Sequence, residues 1–197
     1  MHSKNFVIGI TGGSGCGKTT ALDVIRELGG LVLDCDAIYH RLLQEDPTLL
    51  AAIEARFPGT VENGMLQRKK LGNIVFADKN ALAELNQITH AAVKKEVLRL
   101  LSRHQGLAAI DAIGLFEGEL AQLCQMTVAI CAPEEDRIAR LIARDGISKE
   151  YAQKRIAAQR PQSEFRKLCD YVLENSENKE AFHGKCLAFF TQKCIIK

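Results

Sequence analysis

The chain has 197 residues, 47% hydrophobic and 25% charged, enough for one domain with a full core. Its 26 Lys and Arg against 24 Asp and Glu leave a net charge of +2, with no long basic tract, so no nucleic-acid partner is expected. No apolar stretch is long enough for a membrane span, no signal peptide is expected, and seven scattered cysteines lack CxxC spacing. A disulfide framework and a zinc site are therefore not expected, and the expected compartment is the cytoplasm. No obligate protein partner is evident.

The first apolar run, Phe6-Val7-Ile8-Gly9-Ile10, suits a buried parallel strand. It leads into Gly12-Gly13-Ser14-Gly15-Cys16-Gly17-Lys18-Thr19, a full match to G-x-x-x-x-G-K-[ST], the P-loop. A chance match to its four fixed positions is expected in about one chain of this length per hundred. The glycines let the backbone turn tightly and bring its N–H groups onto phosphate oxygens. Lys18 is a point charge for the terminal phosphates, and the Thr19 hydroxyl is a candidate Mg²⁺ ligand. The predicted ATP-binding run extends through Thr20. A helix over 19–28 follows, with Leu22, Ile25 and Leu28 spaced by three and Gly29-Gly30 as its stop.

Four more apolar runs follow in chain order. Leu31-Val32-Leu33 ends in Asp34, and Leu107-Ala108-Ala109-Ile110 ends in Asp111. Met126-Thr127-Val128-Ala129-Ile130 leads to Pro133, and Tyr171-Val172-Leu173 leads to Glu174-Asn175. Alternating with helices, these strands predict an α/β domain with a five-stranded parallel sheet whose ligands lie at the strands' carboxyl ends. Residues 37–105 read as a helical insertion for the acceptor, with one long helix over 80–104. Pro47, Pro58-Gly59 and Asn63-Gly64 cut its first part into shorter pieces, and Met65-Leu66-Gln67-Arg68 reads as a turn into a helix. Helices over 134–145 and 148–160 fall in a lid region spanning 134–166.

Several residues sit where chemistry needs them. If Asp34-Cys35-Asp36 is extended, both carboxylates point the same way, toward the P-loop. One could accept the proton of an attacking hydroxyl; alternatively, Asp36 caps a helix starting at Ala37. Asp111 ends a strand where P-loop proteins place a carboxylate that holds Mg²⁺ through water, or it satisfies local backbone N–H groups. Arg137, Arg140 and Arg144 fall within about 60° on a helical wheel, either as a phosphoryl clamp or as a solvated face. His90 lies mid-helix in the insertion, where a histidine is commonly structural.

Taken together, these features resemble the dephospho-CoA kinase family. Gly64-Met65-Leu66-Gln67-Arg68, Leu71 and Ile74-Val75-Phe76 are similar to that family's DG-x-L-x-R…L…IF stretch. Leu85-Asn86 with Thr89-His90 is similar to its LN…HP, and Asp111 through Leu115-Phe116-Glu117 to its D-x-PLLFE. Arg140, Arg144-Asp145, Gln159 and Asp170-Tyr171-Val172…Asn175 match its tail. Departures are Asn63, Ala91, Ile113, Gly114 and Cys169, which concern backbone shape and the substrate-side wall.

The resemblance implies a three-layer α/β/α P-loop NTPase fold with a helical insertion and lid. It also implies Mg²⁺-dependent transfer of the ATP γ-phosphoryl group to the ribose 3′-hydroxyl of dephospho-CoA. By that carry-over Asp36 is the base, Lys18, Arg140 and Arg144 stabilise the transferred group, and Asp34 neighbours the acceptor. His90, Leu115 and Glu117 line the acceptor side; Gln159, counted with them, and Asn175 lie near the lid and the adenine end. Competing readings are another small-molecule P-loop kinase, a GTPase, and a silent nucleotide-binding module. The GTPase reading lacks a guanine-reading Asn-Lys-x-Asp, since Asn178-Lys179-Glu180-Ala181 has no carboxylate at its end.

Overall fold

In a computed structural model that describes residues 5–194, the chain begins with strand β1 (Asn5–Thr11), followed by helix α1 (Lys18–Glu27) and β2 (Leu31–Asp34). The insertion comprises α2 (Cys35–Glu45), α3 (Pro47–Arg56), the hairpin β3 (Val61–Glu62) and β4 (Met65–Leu66), α4 (Arg68–Val75) and α5 (Lys79–Ser102). Then come β5 (Gly106–Asp111), β6 (Met126–Cys131), α6 (Glu134–Asp145), α7 (Lys149–Ala157), α8 (Gln162–Leu168), β7 (Tyr171–Glu174) and α9 (Lys179–Cys194).

As the apolar runs predict, five strands form one parallel sheet; their order is β2-β5-β1-β6-β7. All six residues of β6 are buried, the mark of a strand covered on both faces. Alternation along β1 assigns the layers: Val7 packs with Leu33, Ile38, Ile53 and Val97 on the insertion side. Ile8 and Ile10 pack with Val24 and Ile25 of α1 and with Phe182, Cys186 and Phe190 of α9 on the other. Register pairs Asp111 with both Ile10 and Asp34, so the carboxyl ends of β1, β2 and β5 are level.

The insertion differs from expectation at one point. Asn63 and Gly64 take φ values of 52° and 74°, both left-handed, and close a two-stranded hairpin instead of leading directly into a helix. Asn-Gly is the pair that such a turn favours, and the helix starts only at Arg68. The long helix is α5, capped by the Asp78 side chain on the Asn80 N–H.

Ile138 and Leu141 of α6 pack on Ala152 and Ile156 of α7 as a small separate cluster. Helix α8, which the sequence reading lacks, buries Phe165 against Ala129 and Cys131 of β6. Phe165, inside the expected lid region of 134–166, is thereby held on the sheet. The helix α9 is a second unforeseen element; it starts where Asn178 Oδ1 accepts the Ala181 N–H. No helix among the described residues is long and apolar enough to cross a membrane.

Candidate functional site

The loop between β1 and α1 is built from backbone that only glycine tolerates. Gly12 has φ 144°, and a Cβ there would lie 2.3 Å from the Ile130 carbonyl oxygen. Gly17 has φ 94°, and a Cβ there would lie 2.2 Å from Asn175 Nδ2. The loop ends on the N-terminus of α1, whose free N–H groups and dipole favour anions. Lys18 Nζ donates to the Gly12 carbonyl at 3.0 Å and lies 4.0 Å from Asp111 Oδ1. Cys16 turns its thiol into the core, where burial raises its pKa, so its part in the loop is made by its backbone.

A cleft of about 730 Å³ opens over this loop, lined by Ser14, Lys18, Thr19, Asp36, Arg140 and Arg144, among others. The arginine row of α6 divides by contact. Buried Arg137 donates from Nε to the Ser14 carbonyl at 2.9 Å and buttresses the loop. Arg140 donates to the Gly15 carbonyl at 3.3 Å and to the Asn175 Oδ1 at 3.3 Å. Arg144 stays at the cleft wall, paired with Asp145 at 2.7 Å. Arg155 of α7 shares Asp145 at 2.6 Å and lines the same cleft, a cation that the sequence reading missed. Asp145, held by two guanidiniums, has its pKa lowered to about 2.

Gln159, counted with the acceptor residues but expected near the lid, lines the nucleotide cleft and contacts the phosphate loop: its Oε1 accepts the Ser14 N–H at 2.8 Å. Asn175 is buried, donates to the Cys16 carbonyl at 2.8 Å, and lines a pocket of about 330 Å³ with Gly17, Thr20 and Lys179.

A second cavity, of about 210 Å³, lies between α2, α5 and the segment after β5. Asn86, Thr89, His90 and Val93 present one face of α5 to it, the i, i+3, i+4, i+7 spacing of a helix. Gly114 and Gly118 keep the opposite wall open; a Cβ at Gly114 would come within 4.0 Å of His90 Nε2. Asp36 and Ile113 line both this cavity and the nucleotide cleft.

The paired-carboxylate expectation is corrected. Helix α2 begins at Cys35, so Asp34 and Asp36 are not two steps along one strand. Asp34 is the N-cap, its Oδ1 accepting the Ala37 N–H at 2.9 Å, and only Asp36 reaches the cleft. Leu115 is also corrected: it is fully buried, and a Cβ on Gly9 would sit 2.8 Å from its Cδ2, so it is core and not cavity wall. Glu117 is exposed and ion-paired to Arg160; it lines neither cavity, but its Oε2 lies 3.9 Å from where a Cβ on Gly114 would stand, beside the acceptor-side cavity.

Asp111 has its pKa pushed up to about 6, first by burial; Lys18 opposes this, and Asp34 and Asp36 add to it. Its Oδ1 is buried with no hydrogen-bond partner. With the exposed Thr19 hydroxyl, that orphaned oxygen suits a hard cation. No group of three or more His, Cys, Asp or Glu among the described residues could hold a metal by itself. A Mg²⁺ held by these donors would take its other ligands from phosphate and water.

Residues 6–180 match the family model for dephospho-CoA kinase. The dephospho-CoA kinase of Carboxydothermus hydrogenoformans is 35% identical, over 92% of this chain and 91% of its own. That of Anaeromyxobacter dehalogenans is 38% identical, over 91% and 88%. The crystal structure of TT1252 from Thermus thermophilus superposes with a TM-score of 0.79 at 33% identity, covering 95% of this chain and 97% of that one.

Proposed function

The chain belongs to the dephospho-CoA kinase family, and from that premise we propose that it phosphorylates the ribose 3′-hydroxyl of dephospho-CoA with ATP, giving CoA and ADP. The observation that carries this reading is Asp36, among the described residues the one acidic side chain common to the nucleotide cleft and the neighbouring cavity. A hydroxyl seated in that cavity meets the phosphoryl group of ATP at this carboxylate.

In this reading the P-loop N–H groups and Lys18 hold the phosphates. Asp36 accepts the hydroxyl proton as the oxygen attacks the γ-phosphorus, and the bond to the bridging oxygen breaks to release ADP. Arg140, Arg144 and Arg155 offset the charge that spreads over the transferred group. Gln159 and Arg137 keep the loop in its binding shape, Asn175 backs it beside the pocket suited to adenine, and His90 and Asn86 face the acceptor. Mg²⁺, when bound, neutralises phosphate charge; Thr19 would ligate it and Asp111 would hold its water. Residues 37–105 act as the acceptor-binding unit, 134–166 contain the lid, and the protein works in the cytoplasm.

Purified protein with Mg²⁺-ATP and dephospho-CoA is expected to yield ADP and CoA in equal amounts. Adenosine, AMP and shikimate are expected to give little turnover. ADP no higher with dephospho-CoA than without it would overturn the assignment.

A further inference from the structure

Tyr39 and Leu85 wall two cavities at once, the one that holds Asp36 and another of about 230 Å³ between α2, α4 and the start of α5. Leu43, Leu66, Leu71 and Val75 make this other cavity largely apolar. Phe76 borders it with 85% of its surface exposed, and its ring lies over Gly72, where a Cβ would meet it at 3.5 Å. Arg68 stands at the same cavity and forms no ion pair among the described residues. Arg41, Arg56, Lys70 and Lys94 of the same insertion are all paired. An exposed guanidinium without a carboxylate is a ready phosphate receptor.

The acceptor has matching parts. Its 3′-hydroxyl must reach Asp36, its pyrophosphate leaves from the 5′ side of the same ribose, and a long uncharged arm follows. We propose that the cavity beyond Tyr39 and Leu85 receives the pantetheinyl arm of the acceptor and that Arg68 binds its pyrophosphate. This rests on the dephospho-CoA reading above. It makes the arm site a selectivity device: an acceptor lacking the arm occupies the Asp36 cavity alone and forgoes Arg68, Phe76 and the apolar wall.

Arg68 and Phe76 are exposed, so Arg68→Met and Phe76→Ser leave the core intact, which melting curves check. Arg68→Met is expected to raise KM for dephospho-CoA about tenfold, and Phe76→Ser about threefold or more. In both, kcat and the KM for ATP stay within about twofold of wild type, because neither side chain touches the nucleotide cleft. Two fragments separate the halves of the ligand. 4′-Phosphopantetheine competes with dephospho-CoA in the wild type and weakens in both variants, while competition by adenosine, which has neither phosphate nor arm, is unchanged. The proposal is overturned if both variants keep KM for dephospho-CoA within twofold of wild type, or if adenosine weakens as much as 4′-phosphopantetheine. If the wild type does not turn over dephospho-CoA, the kinase reading fails instead. Calorimetry with 4′-phosphopantetheine then tests the cavity: binding lost in Arg68→Met upholds it, and no binding to the wild type overturns it.

Discussion

Gln159 grips Ser14 at two atoms: its Oε1 accepts the Ser14 N–H at 2.8 Å while its Nε2 donates to Ser14 Oγ at 2.8 Å. Arg137 completes the clasp, donating from Nε to the Ser14 carbonyl at 2.9 Å and from Nη2 to Gln159 Oε1 at 3.4 Å. The segment after α7 and the phosphate loop are thus one hydrogen-bonded unit, and contacts within the protein hold the loop's shape. Pre-ordering of this kind lowers the entropy that binding must lose.

Gln159→Ala removes both contacts, each worth about 1 kcal/mol, so ATP affinity is expected to fall about fivefold to thirtyfold. Titration calorimetry with ATP reads this directly. KM for dephospho-CoA should change by less than about threefold, because Gln159 does not line the acceptor cavity. An ATP affinity equal to wild type would show that the clasp does not prime the loop.

Asp36→Asn keeps the shape of the shared wall but removes the proton acceptor. ATP affinity should hold within about twofold while kcat falls about 10²-fold to 10⁴-fold. Steady-state ADP release with dephospho-CoA measures it. Turnover close to wild type would assign the proton to another group.

Which of these features could be read from the chain follows from where their causes lie. The strands were legible because β1 and β6 are buried on both faces and show as unbroken apolar runs. The roles of Asp34 and Asp36 were not, because they depend on whether the backbone leaves β2 one residue earlier or later. Arg137 and Arg144 look equivalent on a helical wheel, yet one is buried on the P-loop and the other pairs at the cleft wall. The Gln159–Ser14 clasp joins residues 145 positions apart, and no local pattern encodes that. The helix α9 did carry a signal, with Phe182, Cys186 and Phe190 at spacing four.

Glu96 ties two helices of the insertion. Its carboxylate on α5 accepts from Arg41 of α2 at 2.6 Å and from Arg99 at 2.6 and 2.7 Å. The Arg99 and Arg41 hydrogen bonds lower its pKa from 4.5 to about 2. A depressed carboxylate stabilises the fold above its unfolded pKa, and that contribution is lost as pH falls from 4.5 toward 2. Both arginines are partly in water, so the contribution is about 1–2 kcal/mol. Urea unfolding at pH 7 should show Glu96→Gln less stable than wild type by that amount. The gap should close as pH approaches the lower value; a gap independent of pH would assign the loss to packing.

Phe182 is buried in α9 and backs the nucleotide site: its Cε1 lies 3.8 Å from where a Gly17 Cβ would stand. It packs with Ala21, Val24 and Ile25 of α1 in one core cluster, so the helix that follows the P-loop rests on the helix that ends the described chain. Phe182→Ala removes most of a phenyl ring from a close-packed wall and should cost about 3–5 kcal/mol. Phe182→Leu keeps an apolar side chain there and should cost less than half of that. Urea unfolding curves of the three proteins, fitted with a common slope, measure both differences. A loss under about 1 kcal/mol for Phe182→Ala, or a separate early transition, would mean that α9 unfolds independently of the sheet.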